Sequence, residues 1–376
     1  MMIAGVAGFL VVFSSEGHSQ SSPAVGQVLV ITDPMVRQVI QRRDDNIGNI
    51  FVAGTYSGNV DGFEASSKIR PGMSGLAQGW TPLIDLTIFE GHFVGIFRQP
   101  AGGFYDIQIR PMYQGQAGSP MTVVGVGVGE VFIAAGQSNT TNAGSPTGFL
   151  PSTLVSCFDE GLGFGIDPNY PGASWRWAVD PLPTVDGSTG GSVWPTMGNN
   201  LAIALGVPIG IYSAGCGATS IADWQPGIFH FDRMINAIEY FNGRGGVRAV
   251  LWDQGETDYF TKTKPLVYQD KLALMINQLR TVTGVKVKWM VAKASTCLID
   301  NPTRRLAFEQ AQASVVDNKL IFAGPDTDSF GIAYRVYVDD MPLHFNASGL
   351  QSLGAYWGMY VANTPGFLAS GYLPAD

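Results

Sequence analysis

At 376 residues, with 45% hydrophobic and only 14% charged side chains, the chain has the composition of a packed globular protein and not of a disordered one. A soft prior of ~150 residues per domain suggests two domains. The formal net charge of −8 argues against nucleic acid or an anionic membrane as the main partner, since both demand a basic face.

In chain order, residues 1–26 read as a signal remnant or N-terminal extension. Met1 to Phe13 has the apolar core of a signal peptide without the preceding lysine or arginine, and a first strand is the plainer alternative. A secreted or periplasmic location is the expectation, with no integral membrane segment, because no stretch reaches the roughly 18 apolar residues of a membrane helix. Residues 27–125 carry short strands broken by turn residues. In one of these Tyr105, Ile107 and Ile109 alternate with Asp106, Gln108 and Arg110, the period-two signature of a strand with one wet face. This part is expected to be a small all-β sandwich domain.

From residue 126 to 376 the texture changes. Apolar runs without alternation, EVFIAAG, VPIGIYSAG, VRAVLWDQG, VKWMVAKAS and LIFAGPD, are separated by helically spaced segments, which is how a parallel sheet covered on both faces reads. The clearest helix spans Pro265 to Arg280, with Leu266, Leu272, Met275, Ile276 and Leu279 on one face. Another starts at Trp194 and Pro195 and stops at Gly206, and a last one covers Ala347 to Val361. Cys157, Cys216 and Cys297 show no C-x-x-C spacing and indicate neither a zinc site nor a complete disulfide framework. One disulfide with a spare thiol and three buried thiols both remain open.

In open α/β sheets, sites form outside the carboxyl ends of the strands. Polar groups recur at those tips: Ser138 and Asn139, then Gly215 to Thr219, then Gln254, Gly255, Glu256 and Asp258, and later Ser295 and Asp326. A serine becomes a nucleophile when a base takes its proton, and the base needs an orienting partner. Of the four histidines, His18 and His92 precede or belong to the β domain, and His230 falls in a helical segment as a surface or capping residue. His344 sits in the polar segment VDDMPLHFNASGL just ahead of the last helix, where a catalytic base belongs. Each residue also has a plainer role: Ser138 alone is a good helix cap, and Gln254 with Glu256 alone is a solvated strand end.

Taken together, the blocks GEVFIAAGQSN, GIYSAGCGATSIADW, LWDQGETD and DDMPLHFNASG resemble, in order, the SGNH hydrolase superfamily and its sialate O-acetylesterase-like branch of carbohydrate acetylesterases. The resemblance covers about two thirds of the chain. It implies a three-layer, flavodoxin-like parallel-sheet hydrolase domain behind the β sandwich. It also implies a serine esterase that removes O-acetyl groups from a carbohydrate through an acetyl-serine intermediate, without metal or cofactor. Ser138 is implied as nucleophile and His344 as general base. The implied oxyanion donors are the N–H groups of Ser138 and Gly217 and the side-chain amide of Gln254.

One position departs from that branch: three residues before the histidine stands Met341, where an aspartate is usual. Asp340, four before it, or else Glu256 or a backbone carbonyl, is left to orient the imidazole. The second block reads Gly217, Ala218, Thr219 in place of Gly-Gly-Thr.

Other motifs fail. GVGVGE is not a dinucleotide fingerprint, and Gly136 to Thr140 is not a G-x-S-x-G elbow.

The Gly/Pro-rich segment from Gly161 to Pro195 reads as a lid or binding wall. Its Trp175, Trp177 and Trp194, with Trp224 and Asn139, are the candidate sugar contacts, against the alternative that the tryptophans pack the loop down. Arg176 is the one cation offered there for a sialic carboxylate, so plant or microbial polysaccharide acetyl groups rank ahead of sialate. A catalytically degenerate carbohydrate-binding or structural protein, and a lipase or thioesterase, are the readings from other classes.

Overall fold

The computed structural model describes residues 28–145, 152–161, 172–296, 298 and 301–368. The expected N-terminal extension, Cys297 and ten residues of the Gly161–Pro195 segment (162–171) lie outside the described residues. Among the described cysteines, Cys157 and Cys216 are free thiols.

The chain opens with β1 (Leu29–Asp33), β2 (Val39–Gln41), β3 (Ile47–Tyr56), β4 (Gly62–Ile69), β5 (Thr81–Pro82), β6 (Ile84–Phe89), β7 (His92–Pro100), β8 (Phe104–Tyr113), β9 (Gln116–Ala117) and β10 (Met121–Gly136). One antiparallel sheet runs β1-β3-β7-β6, and it faces a second built on β4, β8 and the first half of β10. Alternating residues such as Ile50, Val52, Phe93, Phe97, Ile107 and Ile109 fill the space between them. Phe63 of β4 stacks on Phe93 of β7 across that gap, with ring centroids 3.8 Å apart. The expected sandwich is therefore present.

The strand β10 is 16 residues long and belongs to both parts. Its first half pairs antiparallel with β8, and its second half pairs in parallel with two later strands. Buried Glu130 marks the change, held by Arg42 at 2.7 Å, Arg248 at 2.6 Å and Gln41 at 2.8 Å. A charge so deep is tolerable only with partners of this kind.

Beyond it come β11 (Val155–Asp159), β12 (Ser174–Trp177), α1 (Trp194–Leu205), β13 (Ile209–Ser213), α2 (Phe229–Asn242), β14 (Ala249–Asp253), α3 (Glu256–Phe260), α4 (Pro265–Thr283), β15 (Lys288–Lys293), α5 (Pro302–Ala313) and β16 (Ile321–Asp326). A hairpin of β17 (Arg335–Val338) and β18 (Met341–Phe345) follows, and then α6 (Ala347–Asn363). The sheet runs β12-β11-β13-β10-β14-β15-β16, parallel except for the edge strand β12.

Both faces are covered, which is why β10 reads as unbroken apolar sequence. Phe132 and Ala134 pack with Trp194, Met197, Leu201, Leu353 and Trp357 of α1 and α6. Val131, Ile133 and Ala135 pack with Met234, Ile238, Leu272, Met275 and Phe308 of α2, α4 and α5. Leu266 departs from its expected inward face: it is 70% exposed in the first turn of α4. The chain leaves β10 to one side for β11 and β13 and crosses to the other for β14, so the strand reversal lies beside β10. A crevice at the carboxyl end follows from that reversal.

Candidate active site

The position of Ser138 begins with Gly136. Its φ is 139°, and a Cβ there would stand 2.0 Å from the Asp253 carbonyl oxygen, so only glycine lets β10 end against β14. The chain then tightens into a 3₁₀ turn, Ser138–Thr140. The turn is braced from several sides. The Gln137 Oε1 accepts from the N–H groups of Gly255 (3.3 Å) and Thr257 (3.1 Å), and the Thr140 carbonyl accepts from Trp194 Nε1 (2.7 Å) and Ser213 Oγ (3.2 Å). The polar residues that follow the buried strand thus have structural work: Gln137 and Thr140 tie the turn down, and Ser138 stands at its head.

The second element is the β17–β18 hairpin. Asp339 and Asp340 form its two-residue turn, both with positive φ (48° and 62°), as a type I′ turn requires. The β18 strand lies against the Ser138–Thr140 turn, and the Phe345 carbonyl accepts the Ser145 N–H at 2.9 Å. The strand that carries His344 thus lies beside the turn that carries Ser138. Burial, and then the charge of Arg335, lower its pKa, so the imidazole is neutral at neutral pH and able to take a proton. Among the described residues no hydrogen bond engages Ser138 Oγ or the His344 ring.

Asp340 does not orient His344. It is exposed at the hairpin tip, and four residues of extended strand at ~3.3 Å each separate the two by roughly 13 Å. Pro342, between them, lies within the extended strand β18 and not in a compact turn that could fold Asp340 back onto His344.

Buried carboxylates gather instead behind the Ser138 turn. Glu256 Oε1 accepts from Asn139 Nδ2 at 2.5 Å, while its Oε2 is buried without a partner. Desolvation raises the Glu256 carboxyl to about 7, with the charge of Asp328 adding to the rise and the bonds from its own N–H and Asn139 opposing it. Asp253 is fully buried with both oxygens unpartnered, and burial followed by the charge of Glu256 pushes its pKa well up. Arg335 acts on this group and on His344 together. Its own donors go to the carbonyls of Phe330 (3.1 Å), Leu343 (2.8 Å) and Thr327 (2.7 Å). Neither Asp253 nor Arg335 stood out in the sequence. Asp253 lies inside the block LWDQGETD, but nothing in a linear motif says which acid loses its solvent.

Of the three expected oxyanion donors, the Ser138 N–H has no acceptor among the described residues. Gly217 is adjacent, since a Cβ on it would lie 3.8 Å from Ser138 Cβ, but its N–H donates to Asp186 Oδ2 at 2.9 Å. Gln254 is not a free donor. Its Nε2 gives its hydrogens to Asp258 Oδ2 (2.7 Å) and the Thr219 carbonyl (3.1 Å), which can only accept and so fix the orientation of the amide. It binds the tips of two strands together. Among the described residues one carboxylate cluster could be considered for a metal, Glu309, Asp326 and Asp328, and there Arg305 already bonds Glu309 at 2.7 Å and lies 3.9 Å from Asp328.

With this geometry in view, the family described as carbohydrate esterase, sialic acid-specific acetylesterase matches residues 128–360, the whole span from β10 to α6 that builds the site. The chain belongs to this family. It is a carboxylic ester hydrolase acting on carbohydrate. A carbohydrate acetylesterase from Xanthomonas citri is similar at 19% identity and a TM-score of 0.56, over 89% of this chain and 75% of that one. A protein from Arabidopsis thaliana is similar at 18% identity and a TM-score of 0.50, over 62% of this chain and 98% of that one. At these identities the likeness is one of fold. No curated protein matches the chain.

In the esterase, the aromatic sugar contacts expected from sequence are not at the site. Trp194 and Trp224 are fully buried: the first holds the Thr140 carbonyl, and the second donates to Thr219 Oγ1 at 3.0 Å. Trp175 is buried against Phe158 and Phe241. Trp177 is 42% exposed but lies under the Arg37 guanidinium and pairs with Ser156, which sits level with Gly210 and hence with Val131. Seven residues of strand separate Val131 from Ser138, roughly 20 Å. Arg176 occupies the same edge strand and pairs with Asp159 at 3.7 Å. Asn139 is buried and spends its amide on Glu256, so it is a support and not a sugar contact. His230, expected at the surface, is half-buried and stacked on Trp224.

Proposed function

We propose that the esterase removes O-acetyl groups from sugars by serine catalysis, with Ser138 as nucleophile, His344 as base and Glu256 as the acid that orients it. The observation that carries this is the Ser138 turn, packed against the His344 strand and backed by a buried glutamate with one oxygen unused. Ser138 Oγ forms a bond to the acetyl carbon as its proton passes to His344. The carbonyl electrons move to oxygen, where the Ser138 N–H, and the Gly217 N–H once Asp186 turns aside, stabilise the charge. The bond to the sugar oxygen then breaks, and that oxygen takes the proton from His344. Water, deprotonated by His344, releases acetate from the serine by the same steps.

Neutral O-acetylated polysaccharide is the favoured substrate, supported by the acid-rich surroundings and by an Arg335 each of whose nitrogens already donates to a backbone carbonyl. The family's description favours sialic acid as the second reading. A secreted or periplasmic location suits such a substrate. Among the described residues no helix is long and apolar enough to cross a membrane.

The test is hydrolysis of 4-nitrophenyl acetate, butyrate and octanoate, with acetate release from acetylated xylan. Activity should fall steeply with acyl length and drop at least about 10³-fold in both Ser138→Ala and His344→Ala. Retained turnover in a folded Ser138→Ala protein would remove serine from the mechanism.

A further inference from the structure

The loop between β12 and α1 is fastened to the segment that carries the nucleophile. Buried Asn142 donates Nδ2 to the carbonyls of Leu182 (2.7 Å) and Ser188 (2.9 Å), accepts the Leu182 N–H on Oδ1 (2.8 Å), and donates its own N–H to Ser188 Oγ (3.0 Å). The tip of this loop presents Asp186 to Gly217. Asp186 Oδ2 accepts the Gly217 N–H at 2.9 Å, and Oδ1 accepts Ser188 N–H (3.1 Å) and Oγ (2.7 Å). Burial raises the Asp186 pKa, but bonds from Ser188, Gly217 and Thr184 outweigh it and hold the group below the ordinary carboxylate range. At neutral pH it is charged. An N–H beside the serine is thus occupied by a side chain that ends as acetate does, and acetate is what deacetylation releases.

Building on the esterase reading above, we propose that Asp186 is a specificity-determining residue that keeps carboxylates off the Gly217 N–H. The site then selects neutral O-acetyl sugars over anionic ones and resists the acetate it produces. Asp186 is exposed, so its side chain can turn to solvent when an ester oxygen takes the N–H. For a neutral ester this exchanges one acceptor for another on binding, and the oxyanion charge that develops later is the same for every ester and so cancels in a comparison of substrates. For an anion it leaves two negative charges a few ångströms apart in a partly desolvated place, a repulsion that amounts to a roughly five- to tenfold loss of affinity.

The experiment uses the full chain with Asp186→Asn, which keeps an acceptor for Gly217 without the charge, and Asp186→Ala, which removes both. Acetate binding is titrated by NMR in Ser138→Ala and in Ser138→Ala combined with each Asp186 variant, so that no turnover is needed. Separately, kcat/KM is compared for an O-acetylated sialic acid and an acetylated neutral oligosaccharide. Acetate should bind about five- to tenfold more tightly without the Asp186 charge, and the anionic-to-neutral ratio of kcat/KM should rise by a similar factor. An unchanged acetate affinity in both variants, or an equal change for both substrates, overturns the proposal. If wild type and Ser138→Ala hydrolyse acetyl esters equally, the esterase reading fails instead, and acetate binding still decides the role of Asp186.

Discussion

Glu256→Gln separates what this carboxyl does for catalysis from what it costs the fold. The glutamate is raised from its usual 4.5 to about 7 in the folded chain, chiefly by desolvation. A raised carboxylate pKa means that the folded state binds the proton more tightly than the unfolded state does, so stability falls as pH rises from below 4.5 through about 7. The interval of 2.5 between 4.5 and 7, at about 1.4 kcal/mol for each tenfold change, comes to about 3 kcal/mol at pH 8. An amide of the same shape keeps the acceptor for Asn139 Nδ2 and never has to ionise. Glu256→Gln should therefore unfold about 5 °C higher than wild type at pH 8, with the gain vanishing near pH 5. It should also lose about 10²–10⁴-fold in kcat, because an amide no longer stabilises the imidazolium of His344.

The assays are thermal melts from pH 5 to 8 and steady-state hydrolysis of 4-nitrophenyl acetate. The wild-type rate should rise with pH through about 7 as Glu256 ionises. Asp340→Asn, at the hairpin tip, is the comparison and should stay within about twofold of wild type. An active Glu256→Gln enzyme, or one less stable than wild type at pH 8, would refute the reasoning.

The supports of the turn give further predictions. Gln254→Ala should act through stability, lowering the melting temperature by the equivalent of about 2–4 kcal/mol as Asp258 and the Thr219 carbonyl lose their donor. If that protein instead melts like wild type while kcat falls 10²–10³-fold, the amide is an oxyanion donor after all. Trp194→Phe removes the N–H from the Thr140 carbonyl and should lower kcat about tenfold with KM little changed, read by the same ester assay. Trp177→Ala lies at the other end of the sheet and should leave kcat/KM on acetylated xylan within about twofold; a larger loss would place sugar contacts there.

The sequence by itself determined the order of elements, since apolar runs bounded by glycine and helically spaced segments state their own periodicity. It also placed Ser138 at a strand end and His344 ahead of the last helix, because those positions follow from local pattern and chain order. What it left undecided were pairings across space. Whether Asp340 reaches His344 depends on whether Pro342 lies in a turn or a strand, and the I′ hairpin, set by two positive φ values, made it a strand. The tryptophans are large enough to serve as core or as contact, and only the sheet register sent Trp177 to the far end and Trp194 beneath the turn. The competition for hydrogen bonds was least legible of all. Gln254 is committed to Asp258 and Thr219, and Gly217 to Asp186 from a loop thirty-one residues earlier, because a buried polar atom takes whichever partner the folded chain brings to it.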